Sequence, residues 1–362
     1  MQVERCQPWK QDHAPKYQPL YVKHHLLALR KSCHLLSAKR LHTQTPSFHP
    51  DSIDTMACLV EPVMAYEESR VTEVWPSGWR LFVVLSAVIT AFMLLRLGST
   101  DFSSPEDLSA MIQYSVRWAV PFIYLIIAIS ALHCLFPGRL TRWLLRNRRY
   151  LGLCFAVAMA WQGAFIFIVS SSHPAHYYGE IYLLRDELEG SSGYLLLAAM
   201  TATSFGIFRR HITNEQWRFL HLSGVIFLWA YPYSVYWWNV FYYQTQHWFD
   251  VLFYALGFTA FALRILAWGR DRGLAPNTDL RRLVGGSAVL LSLLLAGSGH
   301  LWQPALSSVL LMPLWSAELE LWLPFWPFEP FVPLLVLALG VAMASGGDAV
   351  SGPQHRVVAE LS

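Results

Sequence analysis

The sequence predicts an all-α, polytopic membrane protein: a six-helix bundle core followed by about two further C-terminal helices. Three observations carry that prediction. Hydrophobic residues make up 54% of the chain and charged residues only 14%, where a soluble domain carries roughly a quarter charged. Mean hydropathy is positive, and apolar stretches long enough to cross a hydrocarbon core recur along the chain. The linkers between them alternate in charge, arginine-rich and then acidic, as in a chain that crosses repeatedly.

The strong spans fall at about 79–98, 112–135, 150–172, 193–209, 217–240 and 249–269, and weaker ones at about 282–298 and 331–346. The linker at 137–149 carries Arg139, Arg142, Arg146, Arg148 and Arg149 with no acid. Arg209, Arg210 and Arg218 follow in the next linker on that side, then Arg270, Arg272, Arg281 and Arg282. The opposite linkers carry Asp101, Glu106 and Asp107, then Glu180, Asp186, Glu187 and Glu189, then Glu318, Glu320 and Glu329. Arginine-rich loops stay cytoplasmic, so both termini are expected inside, in a bacterial inner membrane. Trp143, Tyr150, Tyr177, Tyr178, Trp237, Trp238 and Trp268 sit at helix ends as interfacial belts. Trp315 to Pro333 is too broken by proline to span, and is expected as an interfacial or re-entrant segment on the outer face.

The first 78 residues read as an N-terminal extension. All five lysines (Lys10, Lys16, Lys23, Lys31, Lys39) fall in it, and none follows. That break in composition suggests a start assigned too early, with the true one at Met56 or Met64, or else a presequence over residues 1–55, which would direct the chain to an organellar membrane. His24, His25 and His34 are read there as residues of a disordered tail. The net charge of +3 is small and the cations are confined to a few loops, so nucleic acid is not an expected partner. The five cysteines show no CxxC spacing, and Cys134 and Cys154 read as small apolar helix residues. Gly285-Gly286-Ser287 lacks the strand–turn–helix context of a nucleotide loop and reads as helix packing. No dinucleotide fingerprint occurs and no flavin domain fits, so neither a flavin nor an NAD(P) site is expected in this chain. Without an internal repeat or buried charges in the third to fifth helices, a solute transporter has little support.

One residue stands out chemically. His221, in Trp217-Arg-Phe-Leu-His221-Leu-Ser-Gly, sits a turn or so inside an apolar helix that follows a basic loop. An ionisable group at that depth is costly unless something binds it, and a haem iron is a leading candidate for its metal. A haem b inside a bundle needs axial ligands from facing helices. Across the bundle the third helix offers Gln162, with His176 fourteen residues further on, close to four turns or about 21 Å of rise. His133 reads as an interfacial histidine before a basic loop, and the His173-Pro-Ala-His176 pair as a solvated loop.

At this point the chain resembles a known family. Ser130-Ala-Leu-His133, Thr141-Arg-Trp-Leu-Leu-Arg-Asn-Arg-Arg-Tyr-Leu-Gly152, Gly193 to Ser204 and Trp217-Arg-Phe-Leu-His221 are similar to stretches of the ferric-reductase-like transmembrane domain superfamily. The likeness is to small bacterial members without a flavin domain, related to the haem-binding membrane subunit of the periplasmic methionine-sulfoxide reductase system. It covers residues 79–270, leaving 271–362 as a C-terminal extension. The resemblance implies one or two b haems ligated by histidines of the third and fifth helices, and electron transfer across the membrane. Carried over, His221 matches the fifth-helix ligand, while the third-helix ligand falls at Met159 or Gln162, neither a histidine. The further fifth-helix ligand of two-haem members falls near Ser234, which leaves His176 without its partner. Three substitutes are open: a Met159 thioether, His133 reaching His221, or a five-coordinate iron on His221 alone. The chain therefore reads either as a haem b electron-transfer subunit served by a reductase or acceptor protein, or as a redox-inactive relative acting as a structural or partner-binding membrane subunit.

Overall fold

Helix boundaries in this chain follow local chemistry. Ser104 caps a helix by accepting from the Asp107 amide at 3.2 Å, with Pro105 at the first helical position. Thr213 and Gln216 form a reciprocal capping box, at 3.1 and 3.0 Å, that starts another. In a computed structural model, residues 76–345 are described apart from 246, 273–278, 312–315, 317–318 and 320–321. The readings of residues 1–75, of Glu318 and Glu320 and of 346–362 lie outside the described residues. The described helices are α1 (Trp79–Leu97), α2 (Pro105–Leu135), α3 (Arg139–Ser172), α4 (Leu184–Thr203), α5 (Asn214–Phe241), α6 (Trp248–Arg272), α7 (Asp279–Gly297), α8 (Gly299–Leu310) and α9 (Val332–Ala344). Short helical turns at Pro174–His176, Tyr177–Ile181, Gly206–Arg209 and Glu329–Phe331 connect them.

The protein is an all-α membrane helix bundle. Helices α1, α2, α3, α6 and α7 are long and apolar enough to cross a membrane. Helices α4 and α5, 20 and 28 residues long, match the span of a bilayer core but are diluted by Tyr194, Thr201, Thr203, His221 and Ser223. Several boundaries differ from the sequence expectation. Helix α3 starts at Arg139, so the arginine block is helix rather than loop: arginine is a good helix former whose long stem carries its charge away from the apolar face. Helix α4 ends at Thr203 rather than near 209, and α8 was not anticipated as a separate helix.

Helix α2 lies along α3 and against α6; α5 packs on α4, α6 and α2; α1 packs on α3. The centre is aromatic. Trp229 stacks on Tyr233 and Phe261 with centroids 4.9 and 4.3 Å away, and its indole N–H donates to the Gly257 carbonyl at 3.0 Å. Gly257 is required there, because a Cβ would lie 2.8 Å from the ring of Tyr124.

The described residues beyond 270 belong to the same body. Tyr233 donates to the Pro330 carbonyl at 2.8 Å, and Tyr254 to the Ala296 carbonyl at 2.8 Å. The described part of the proline- and tryptophan-rich stretch tucks into the acidic end of the bundle. Phe325 packs on Phe227 and Phe331, Trp326 is buried, and the wholly buried Glu329 accepts from Ser307 at 2.6 Å. Its rings find the aromatic face of α5, at Phe227 and Tyr231.

Helices α7 and α9 meet through small residues, the packing expected of Gly285. A Cβ on Gly285 would lie 2.7 Å from the Gly340 carbonyl, whereas Gly286 faces open space. The obstructing atoms are the Gly340 carbonyl oxygen and the Ala344 amide nitrogen and Cβ, none of which can swing aside. Gly285→Val should therefore cost about 1–3 kcal/mol, read as a lowered unfolding midpoint in detergent. Gly286→Val, with the same change in helix propensity, serves as the reference; equal effects for the two would refute the close crossing.

Candidate functional site

Two of the residues singled out by chemistry, Gln162 and His221, are both bonded to one helix, α4. Helix α4 packs against both α3 and α5, and two of its hydroxyls, Tyr194 and Thr203, reach those neighbours. Tyr194 donates to Gln162 Oε1 on α3 at 3.1 Å, with the Met159 carbonyl 3.3 Å away. Thr203 Oγ1 lies 3.0 Å from His221 Nε2 on α5. Both positions to which the resemblance assigns axial ligands are thus tied to the same helix.

The proton on His221 can be placed from its partner. The Thr203 hydroxyl has one hydrogen, and its shortest contact is to the Ala199 carbonyl at 2.7 Å. Once that hydrogen is donated, Oγ1 offers only lone pairs, so His221 Nε2 donates to it. The free lone pair of the neutral imidazole is then on Nδ1. One face of the ring is also covered: Trp217 stacks on it with centroids 4.3 Å apart, and the Arg209 guanidinium lies 5.3 Å from the Trp217 ring.

Helix α4 also measures depth. Tyr194 and Thr203 are nine residues apart, so Gln162 and His221 are held about 13 Å apart along the bundle. Two axial ligands of one iron must both lie within a few ångströms of it. Gln162 and His221 do not meet that condition. Met159, one turn nearer the arginine-rich end on α3, shortens the separation by only about 4 to 5 Å. His133 stands on the last turn of α2 with Nδ1 3.1 Å from Thr141 Oγ1, occupied by that hydroxyl rather than by His221. A bis-axial haem does not fit these residues as they stand, and ligation through Nε2 of His221 would first break the Thr203 bond.

The remaining histidine candidates sit at the acidic end. His173 Nε2 lies 3.0 Å from the Phe102 carbonyl, joining the end of α3 to the α1–α2 loop. His176 is half-buried in the turn before Tyr177, well away from His221. Tyr177 donates to Glu187 at 3.0 Å, and burial together with that carboxylate pushes its phenol up to about 12. Among the described residues no group of three or more histidine, cysteine, aspartate or glutamate side chains is placed to hold a metal ion, and Cys134 and Cys154 are free thiols. Ser234 is bonded to the Tyr231 carbonyl on its own helix at 2.8 Å.

Sequence reasoning passed over Tyr194 and Thr203. The available signal was hydroxyl residues within a largely apolar run, in a block already noted for its resemblance. Comparison with known proteins adds nothing to this geometry: the chain matches no family model, no curated protein and no solved structure.

The Thr203–His221 bond should appear as coupling in a double-mutant cycle of Thr203→Val and His221→Ala, followed by unfolding in detergent. Interhelical bonds of this kind couple by about 0.6 kcal/mol, up to about 1.7. Additive losses would mean the two side chains do not interact.

Proposed function

We propose that this chain is a redox-inactive membrane subunit of ferric-reductase-like ancestry, which works by holding a partner in or at the bilayer rather than by relaying electrons. The observation that carries the reading is the difference in depth between Gln162 and His221, each satisfied by its own hydroxyl on α4. A relay through a six-coordinate haem needs the iron gripped on both sides, and here the two candidate grips serve as interhelical ties. On this reading His221 keeps its place because a buried imidazole with a good partner joins α4 to α5, and its loss would remove that tie between the two helices. The orientation that goes with the reading places the arginine-rich end in the cytoplasm, where a partner would approach.

The competing reading, haem b anchored by His221 with a reductase delivering electrons, makes a different spectroscopic prediction. Protein purified in detergent from haem-replete cells should contain far less than one haem per chain, and its reduced-minus-oxidised spectrum should lack a b-type alpha band. A near-stoichiometric six-coordinate b-type signal that disappears in His221→Ala would overturn the proposal and restore the electron relay. A stoichiometric high-spin signal with the same dependence would do so through a five-coordinate iron.

A further inference from the structure

The geometry points to a binding site for one anionic phospholipid on the side of the bundle, with an acyl chain in a groove between α1, α3 and α4 and the headgroup phosphate on Arg149. The site does not depend on whether haem is bound.

The groove encloses about 310 Å³ and is almost wholly apolar. Ala156 and Ala160, one turn apart on α3, form its trough because their side chains are too short to fill it. Phe82 of α1 and Val157 form walls, and Trp79 and Phe205 close the end nearest the arginine-rich linkers. A volume at the low end of the roughly 300–1,000 Å³ of ordinary ligand pockets suits a single chain better than a bulky ring system.

Charge complementarity identifies the occupant. The Arg149 guanidinium stands over the same two closing rings, 6.0 Å from Trp79 and 5.7 Å from Phe205, and 5.8 Å from Tyr150. Its exposed side chain is steered by three aromatic faces to the groove's end, and among the described residues no carboxylate pairs with it. A guanidinium so placed presents a planar fork of donors that suits a phosphate. Length agrees as well. From Arg149 to Ala160 is eleven residues, about 16 Å of helix, against about 15 Å for the hydrocarbon of one leaflet. A lipid with its phosphate at Arg149 would therefore lay one chain along the whole groove, within its own leaflet. Basic pockets between membrane helices on the inner side are where anionic headgroups are held.

The test uses the full chain in detergent, titrated with dioleoylphosphatidylglycerol or dioleoylphosphatidylcholine and read by native mass spectrometry. One phosphatidylglycerol should be retained per chain, preferred over phosphatidylcholine by about fivefold or more, the value of one interfacial cation. Arg149→Gln should abolish that preference, and Arg149→Lys should keep most of it. Ala160→Trp, which fills the trough, should weaken both lipids. Equal binding of the two lipids to the unaltered chain, or an undiminished preference in Arg149→Gln, would overturn the site. Lipid retention by a folded Ala160→Trp equal to that of the unaltered chain would remove the groove from it. Should Ala160→Trp fail to fold, the two Arg149 variants, exposed and therefore tolerant, still decide the matter.

Discussion

Every polar group that enters the interior of this bundle needs a partner inside the protein, since lipid offers none. The aromatic centre meets that constraint by pairing side-chain donors on one helix with carbonyls on another. Trp229 donates to Gly257, Tyr233 to Pro330, Tyr254 to Ala296 and Ser292 to Pro333, all between buried groups. These bonds link α5 to α6, α6 to α7, and both α5 and α7 to the segment that begins α9. Helices with equally apolar neighbours on every side gain little from hydrophobic burial against one another, so such bonds and close packing fix which helices meet. The inward course of Phe325 to Phe331 follows from the same rule, because Pro330 supplies the acceptor that the buried Tyr233 hydroxyl requires.

Tyr124 shows how closely that network is packed. Its ring occupies the space left by Gly257, beside Tyr233, and its hydroxyl is buried without a hydrogen-bond partner. An unpartnered buried hydroxyl costs free energy; here it accompanies the close approach of α2, α5 and α6. Packing and polar satisfaction therefore compete at this point, and packing prevails.

The fold was largely legible in the sequence, and the site only partly. Bilayer thickness imposes a length on apolar runs that composition displays directly, which is why α1, α2, α3, α6 and α7 fall where the runs do. Boundaries were harder where charge and helix coincide: the arginines from Arg139 to Arg149 mark a membrane edge, but their propensity carries α3 through it. Helices α4 and α5 were visible as spans, yet their hydroxyls carried no sign of their partners. Sequence spacing places Gln162 on α3 and His221 on α5, but says nothing of relative height between two helices that are distant in the chain. Only a third helix touching both, α4, supplies that comparison.

On the proposed reading, the same strut bears on what loss of a ligand does to the residue left behind. A histidine that binds iron through Nε2 needs that nitrogen deprotonated, with space opposite for the metal. A histidine that instead joins two helices needs Nε2 protonated and a close acceptor, and Thr203 is one whose hydrogen is already committed to Ala199. The two roles ask for opposite tautomers of the same ring. On the proposed reading, a glutamine on α3 and an accepting threonine on α4 are two parts of one change. Without a facing ligand to hold iron, the interior imidazole still has to be satisfied, and a hydroxyl one helix away does so without disturbing the helix path. His221 would then be retained for the geometry it holds between α4 and α5, which explains why a histidine persists where its opposite number does not.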